Sequence, residues 1–149
     1  MQSLDNTYSF AEVAEWIARL RKLEPDAPLA FVAELKIDGV SISLLYEHGR
    51  FARGATRGNG LVGDDVTQNL RTVRNLPLVL RGRAPARLLV RGEVYMPRSA
   101  FARLNRQREE AGEPLFVNPR NATAGSVRLL DSRAVAARRL AALVYQIAD

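Results

Sequence analysis

The sequence has no cysteine, so it holds neither a disulfide nor a thiolate metal site. His48 is its only histidine, which excludes a zinc site built on imidazoles. It has no apolar run of about 18 residues, the length that would suggest a membrane-spanning helix. Its N-terminus is polar and leads into an amphipathic pattern, unlike a secretory signal. The Asn121-Ala122-Thr123 triplet fits a glycosylation sequon, but without such a signal it carries no weight. Lysine is the most telling scarcity. Of 22 basic residues, 20 are arginine, and only Lys22 and Lys36 are lysine.

What is present suits one globular domain. At 149 residues with 47% hydrophobic content, the chain can bury a core. Its net charge of +6 favours polyanions such as nucleic acid, although an arginine-rich proteome gives the same bias.

The two lysines sharpen the question. A composition this rich in arginine would fill a merely positive site with arginine. A guanidinium does not lose its proton in proteins, so it cannot act as a nucleophile. A lysine amine can. Lys36 lies in Glu34-Leu35-Lys36-Ile37-Asp38-Gly39, within a stretch that reads as extended chain. On a strand Glu34, Lys36 and Asp38 would share one face over about 13 Å, with Ala33, Leu35 and Ile37 on the other. Gly39 would allow a tight turn or a close backbone approach. The pattern suggests the floor of a polar pocket; the plainer reading is a surface lysine at a strand edge.

Along the chain, Ser9 and Glu12 form a capping box for a helix with the apolar stripe Phe10, Val13, Ile17 and Leu20, stopped by Pro25. Trp16 reads as a packing residue. Strands are expected at Phe31–Gly39, Ser41–Glu47 and Arg50–Ala55, the last two joined at His48-Gly49 and so antiparallel. Gly58-Asn59-Gly60-Leu61-Val62-Gly63 fits the GxGxxG dinucleotide pattern. We reject that reading, because hairpins precede it and no acidic residue follows at the required spacing. The loop instead positions Arg57, with Asp64 expected to cap a helix at Asp65–Val73. Further strands are expected at Pro77–Leu80 and Leu88–Tyr95. A helix capped by Ser99 should run to Ala111, with Phe101 and Leu104 inward and Gly112 beyond its end. A polar stretch from Asn118 turns helical toward Leu130, and Leu140–Ile147 reads as a last strand. Helices mixed with antiparallel strands make the class α+β.

Lys36-Ile37-Asp38-Gly39 matches the Lys-x-Asp-Gly nucleophile motif of covalent nucleotidyltransferases, namely DNA ligases, RNA ligases and capping enzymes. Five further blocks follow the same order as in one branch. They are Ser3-Leu4-Asp5-Asn6, Ala55-Thr56-Arg57-Gly58, Val90-Arg91-Gly92-Glu93-Val94, Asn118-Pro119-Arg120-Asn121 and Ala124-Gly125-Ser126-Val127-Arg128. From Ser3 to Tyr145 the chain resembles the adenylation domain of bacterial NAD-dependent DNA ligases.

The resemblance implies a mechanism. The Lys36 amine would take AMP from NAD, pass it to the 5′-phosphate of a nick in double-stranded DNA, and let the 3′-hydroxyl displace it. Asp38 would assist as the second catalytic residue. Ser3, Leu4 and Glu34 would lie beside the adenine, Arg57 near the nucleotide, Glu93 on the ribose hydroxyls and Tyr145 stacked on the adenine. Arg120 and Arg128 would handle phosphate. Gln146 stands where the family typically has glycine. Mg²⁺ (or Mn²⁺) would be required, with no zinc site in this segment. A reactive amine must be neutral, and the flanking Glu34 and Asp38 favour its charged form, so compensating positive charge is needed. Arg57, Arg120, Arg128 and Mg²⁺ are the sources.

The resemblance also implies a monomeric, cytoplasmic, nucleoid-associated bacterial enzyme. Its nicotinamide-mononucleotide-binding module and its OB-fold, zinc-finger, helix-hairpin-helix and BRCT portions are not among these residues. The 149 residues would form a partial adenylation domain, incomplete at both ends and inactive by itself. An ATP- or GTP-using relative, or a non-catalytic nucleic-acid-binding module derived from a ligase, are the competing readings.

Overall fold

A computed structural model describes residues 6–148. The chain forms two compact units that divide between Lys36 and Ile37.

The first unit is built on α1 (Phe10–Leu23). Its start follows from local chemistry. The Ser9 hydroxyl accepts from the Glu12 backbone N–H at 3.2 Å, and the Glu12 carboxylate accepts from the Tyr8 N–H at 2.6 Å. Arg21 and Lys22 in the last turn suit the negative end of the helix. Trp16 meets Phe31 with ring centroids 5.4 Å apart, which agrees with its reading as a packing residue. The expected apolar stripe is not buried: no residue of α1 is, and Phe10 is 95% exposed. The expected strand Phe31–Gly39 does not form either, and residues 31–36 are exposed. Extended sequence makes a strand only where a neighbour completes its hydrogen-bond ladder, and here none does among the described residues. The ladder begins at Val40.

The second unit is a four-stranded antiparallel sheet of β1 (Val40–Glu47), β2 (Arg50–Thr56), β3 (Arg87–Tyr95) and β4 (Ala141–Ile147), in the order β2-β1-β3-β4. The β1–β2 hairpin turns at His48 and Gly49, both with positive φ (49° and 76°), the geometry that suits the right-handed twist of the flanking strands. Strand alternation gives the sheet two unlike faces. Ile42, Leu44, Tyr46, Val90, Val94 and Ala142 pack into the core. They meet Leu70 of α2 (Thr67–Leu70), Ala100 and Leu104 of α3 (Arg98–Glu110), Ala122 and Val127 of α4 (Pro119–Val127) and Val135 of α5 (Ser132–Arg138). Phe101 packs at the margin of this cluster. The other face carries Ser41, Ser43, Arg91, Glu93 and Tyr95, all only partly buried. The α+β class and the antiparallel pairing are those read from the sequence.

Three helix or strand boundaries differ from expectation. Asp64 caps nothing, and no side chain caps α2, whose N-cap is Val66; the Asp65 carboxylate accepts from the Thr67 backbone N–H at 2.9 Å and the Thr67 hydroxyl at 2.6 Å in the turn before it. The helix that follows is one turn rather than two. Pro97, not Ser99, precedes α3, and no side chain caps it. Pro77–Leu80 makes only an isolated bridge, Val79 to Arg50. Pro77 lacks an N–H and cannot extend a ladder in both directions.

Candidate nucleotide site

Ser3 and Leu4 lie outside the described residues. Glu34 and Lys36 are exposed in the irregular segment of the first unit. They and Asp38 therefore do not form the row along one strand face that the sequence suggested. Asp38 belongs to the second unit, where Arg120 of α4 holds its carboxylate at 3.1 Å. Asn118 caps that helix, accepting from the Asn121 backbone N–H at 2.8 Å, and so fixes the turn from which Arg120 projects.

The open face of the sheet gathers a second group. The Ser41 hydroxyl donates to the Glu93 carboxylate at 2.8 Å across the β1–β3 pair, where the two residues are directly opposite. Glu93 in turn faces Leu143 on β4. Between Val144, which pairs with Gly92, and Gln146, which pairs with Arg91, Tyr145 is one residue too many. It is the extra residue of a β-bulge, a device that re-aims a side chain. Burial, with the Glu93 carboxylate second, holds the Tyr145 phenol above its ordinary range, while Ser41, Arg91 and Arg57 pull it the other way. Four polar groups from β1, β3 and the end of β2 thus act on the one phenol that β4 carries. Gly92 makes the approach of β4 possible, since a Cβ there would stand 2.5 Å from the Leu143 carbonyl oxygen.

Arg57 follows β2, and its backbone N–H donates to the Ser41 carbonyl at 3.0 Å. The glycine loop after it closes on itself. The Asn59 side-chain oxygen accepts from the Leu61 and Val62 N–H groups at 3.0 and 2.9 Å, and the Thr56 N–H donates to the Asp64 carbonyl at 2.9 Å. A side chain at Gly58 or Gly63 would collide with the backbone of Val62 or Thr56. The loop is a compact turn that carries Arg57, and the dinucleotide-binding alternative has no parallel crossover to rest on. Arg128 pairs with Asp64 at 3.0 Å, tying the end of α4 to this loop.

The structure thus brings together Arg57, Glu93 and Tyr145 on the sheet, and Arg120 with Asp38. Sequence reasoning missed Ser41 and Arg91, whose signal was available: polar residues at alternating positions in otherwise apolar strands. It also missed Asp64 as the partner of Arg128. Among the described residues, no three His, Cys, Asp or Glu side chains gather to hold a metal ion. No described helix is long and apolar enough to cross a membrane.

The chain is similar to curated bacterial DNA ligases. The DNA ligase of Carboxydothermus hydrogenoformans is 53% identical over 149 residues, covering all of this chain and 22% of its own length. The Thermotoga maritima DNA ligase is 54% identical over 147 residues, 99% of this chain and 21% of its own. That of Methylacidiphilum infernorum is 55% identical over 146 residues, 97% of this chain and 21% of its own. The chain therefore spans about a fifth of the length of the curated relatives it matches. The family described as the NAD-dependent DNA ligase adenylation domain matches residues 1–149, and the chain belongs to that family.

Proposed function

We propose that this chain is the nucleotide-charging part of an NAD-dependent DNA ligase, with Lys36 as the residue that carries AMP. The observation behind the proposal is the family match over the whole chain, with the one motif lysine at Lys36. The lysine amine attacks the adenylyl phosphorus of NAD. A P–N bond forms, the pyrophosphate linkage breaks, nicotinamide mononucleotide leaves, and the amine proton passes to solvent. AMP then moves to the 5′-phosphate of a nick, and the 3′-hydroxyl displaces it to close the strand.

The roles of the other residues belong to the same proposal. Glu93 accepts hydrogen bonds from the ribose hydroxyls; Ser41 already occupies one of its oxygens and orients the carboxylate. Tyr145 stacks on the adenine, and the bulge that displays it supports this role. Arg57 faces the nucleotide. Ser3, Leu4 and Glu34 contribute on the adenine side. Arg120 and Arg128 handle phosphate, for which the guanidinium fork is suited. By pairing with Asp38, Arg120 also offsets a carboxylate two residues along the sequence from Lys36. Mg²⁺ (or Mn²⁺), when bound with the nucleotide, would neutralise charge on its phosphate oxygens. Magnesium is commonly held by substrate phosphates and one or two carboxylates, and among the described residues no three carboxylate or imidazole groups gather around a site for it. Nicked duplex DNA is the proposed partner, with the protein a monomer in the cytoplasm.

Peptide mapping after incubation of the full-length protein with NAD and Mg²⁺ tests the proposal. AMP should lie on the peptide containing Lys36, and Lys36→Arg should remove it. AMP on Lys22, or an active Lys36→Arg protein, would overturn the assignment.

A further inference from the structure

The far end of the β1–β2 hairpin carries a feature that nucleotide charging does not use. A cleft of about 370 Å³ is lined by His48, Gly49, Arg50, Val79, Leu80 and the loop residues Gly82, Ala84 and Ala86. Around it stand Arg50, Arg81, Arg83 and Arg87, all exposed, against a single acid, Glu47. Glu47 is opposite Arg87 on one side and Arg50 on the other. This corner therefore holds three net positive charges, half of the chain's +6.

Four of the other arginines are ion-paired. Arg108 pairs with Glu113, Arg120 with Asp38, Arg128 with Asp64 and Arg133 with Asp131. None of the four arginines at the hairpin end forms an ion pair among the described residues. The loop that carries them is also fixed. The His48 N–H donates to the Ala86 carbonyl, and the Leu80 N–H donates to the Gly49 carbonyl, each at 2.8 Å. The Phe51 N–H donates to the Leu78 carbonyl at 2.9 Å. Charges held in place before binding lose less entropy when they meet a ligand.

Along β1, seven residue steps separate Val40 from Glu47, about 23 Å at strand rise. That places this corner well away from Asp38 and Arg120. A duplex presents phosphates every 3.4 Å or so along each strand, so the same distance is roughly seven base pairs.

We propose that the hairpin end is a second phosphate-backbone contact for duplex DNA, several base pairs from the nick. The proposal rests on the reading of this chain as a ligase domain. No base contact is implied, so binding here should be independent of sequence.

The test uses the full-length protein with Arg81→Gln and Arg83→Gln together, two exposed loop positions outside the nucleotide site. Binding to a nicked duplex should weaken, and the slope of log affinity against log salt should flatten by about two. Between 50 and 200 mM salt the variant should then lose roughly tenfold less affinity than the parent. Phosphate ethylation about seven base pairs from the nick should weaken the parent and leave the variant unaffected. AMP attachment to Lys36 should proceed at the parental rate in both. Unchanged affinity and salt slope would overturn the inference while leaving the proposed function intact. Slowed AMP attachment with normal DNA binding would also overturn it, and would point to the dinucleotide as the occupant. Absence of AMP attachment in the parent itself would instead reject the underlying functional reading.

Discussion

Glu93 is the residue where geometry and proposed chemistry meet most closely. Its carboxylate is half-buried, oriented by Ser41 at 2.8 Å, and faces Tyr145 from the neighbouring strand. Glu93→Gln preserves size but replaces one strong acceptor oxygen with a donor. Losing a charge-assisted hydrogen bond to a ribose hydroxyl should cost roughly 1.5–3 kcal/mol, or about ten- to a hundredfold in the rate of AMP attachment. Thermal stability should change little; a parental rate would remove Glu93 from the site. Tyr46 gives a contrasting case on the core face. It is 2% exposed, its hydroxyl donates to the Pro77 carbonyl at 2.8 Å, and burial raises its phenol above the ordinary range. A raised value in the folded state means that folding favours the protonated phenol. That contribution is complete below about pH 10, the unfolded value, and is lost as pH rises through the folded one. Tyr46→Phe should therefore be less stable than the parent by about 1 kcal/mol at pH 8. The difference should shrink or reverse above pH 10, as read by urea denaturation at both pH values.

Elements were legible in proportion to how locally they are determined. The α1 start, the His48-Gly49 turn, the Asn118 block and the β4 strand depend on residues within a few positions of one another. Each stands close to where the sequence put it. The strand expected at Phe31–Gly39 has suitable residues but no partner edge, and partnership is a property of the fold. The short α5 and its Asp131 cap follow α4 so closely that periodicity gave no separate signal. Asp64 and Asp65 are adjacent acids, and only the surroundings decide which turns inward to Thr67 and which reaches Arg128. The site divides the same way. Lys36, Arg57, Glu93 and Arg120 were named from motifs, whereas the bulge at Tyr145 exists only in the register of β3 against β4. That register depends on Gly92. Gly92→Ala would push a methyl group against the Leu143 carbonyl, and backbone cannot yield as a side-chain tip can. Overpacking of this kind costs about 1–3 kcal/mol. The expected result is a lower unfolding midpoint together with slower AMP attachment, because β4 carries Tyr145. Loss of stability with full attachment activity would separate the register from the site.

At the scale of the whole molecule, the buried core and Lys36 lie in different units. The second unit holds the buried cluster from Ile42 to Ala142, with Leu44, Leu70, Val94, Ala122 and Val127 fully enclosed. The first unit buries no residue of α1 and leaves Phe10, Val32 and Leu35 at least 80% exposed. Local stability follows buried apolar contact, so amide exchange should differ sharply between them. Amides of β1 and β3 should exchange with the slowest class, and those of residues 10–36 should exchange orders of magnitude faster. Lys36 lies in the second group. An amine that attacks phosphorus gains most of its rate from being held in an attack geometry beside groups that neutralise the phosphate. The sequence has no lysine after Lys36 to add to that neutralisation. The 149 residues by themselves should therefore fold in the second unit yet form the AMP adduct with NAD far more slowly than the full-length protein does. Intact mass after incubation with excess NAD and Mg²⁺, read beside amide exchange on the same sample, tests both halves. Rapid, near-stoichiometric adduct formation would show that these residues suffice. Slow exchange across residues 10–36 would show that the first unit is held more firmly than its burial allows.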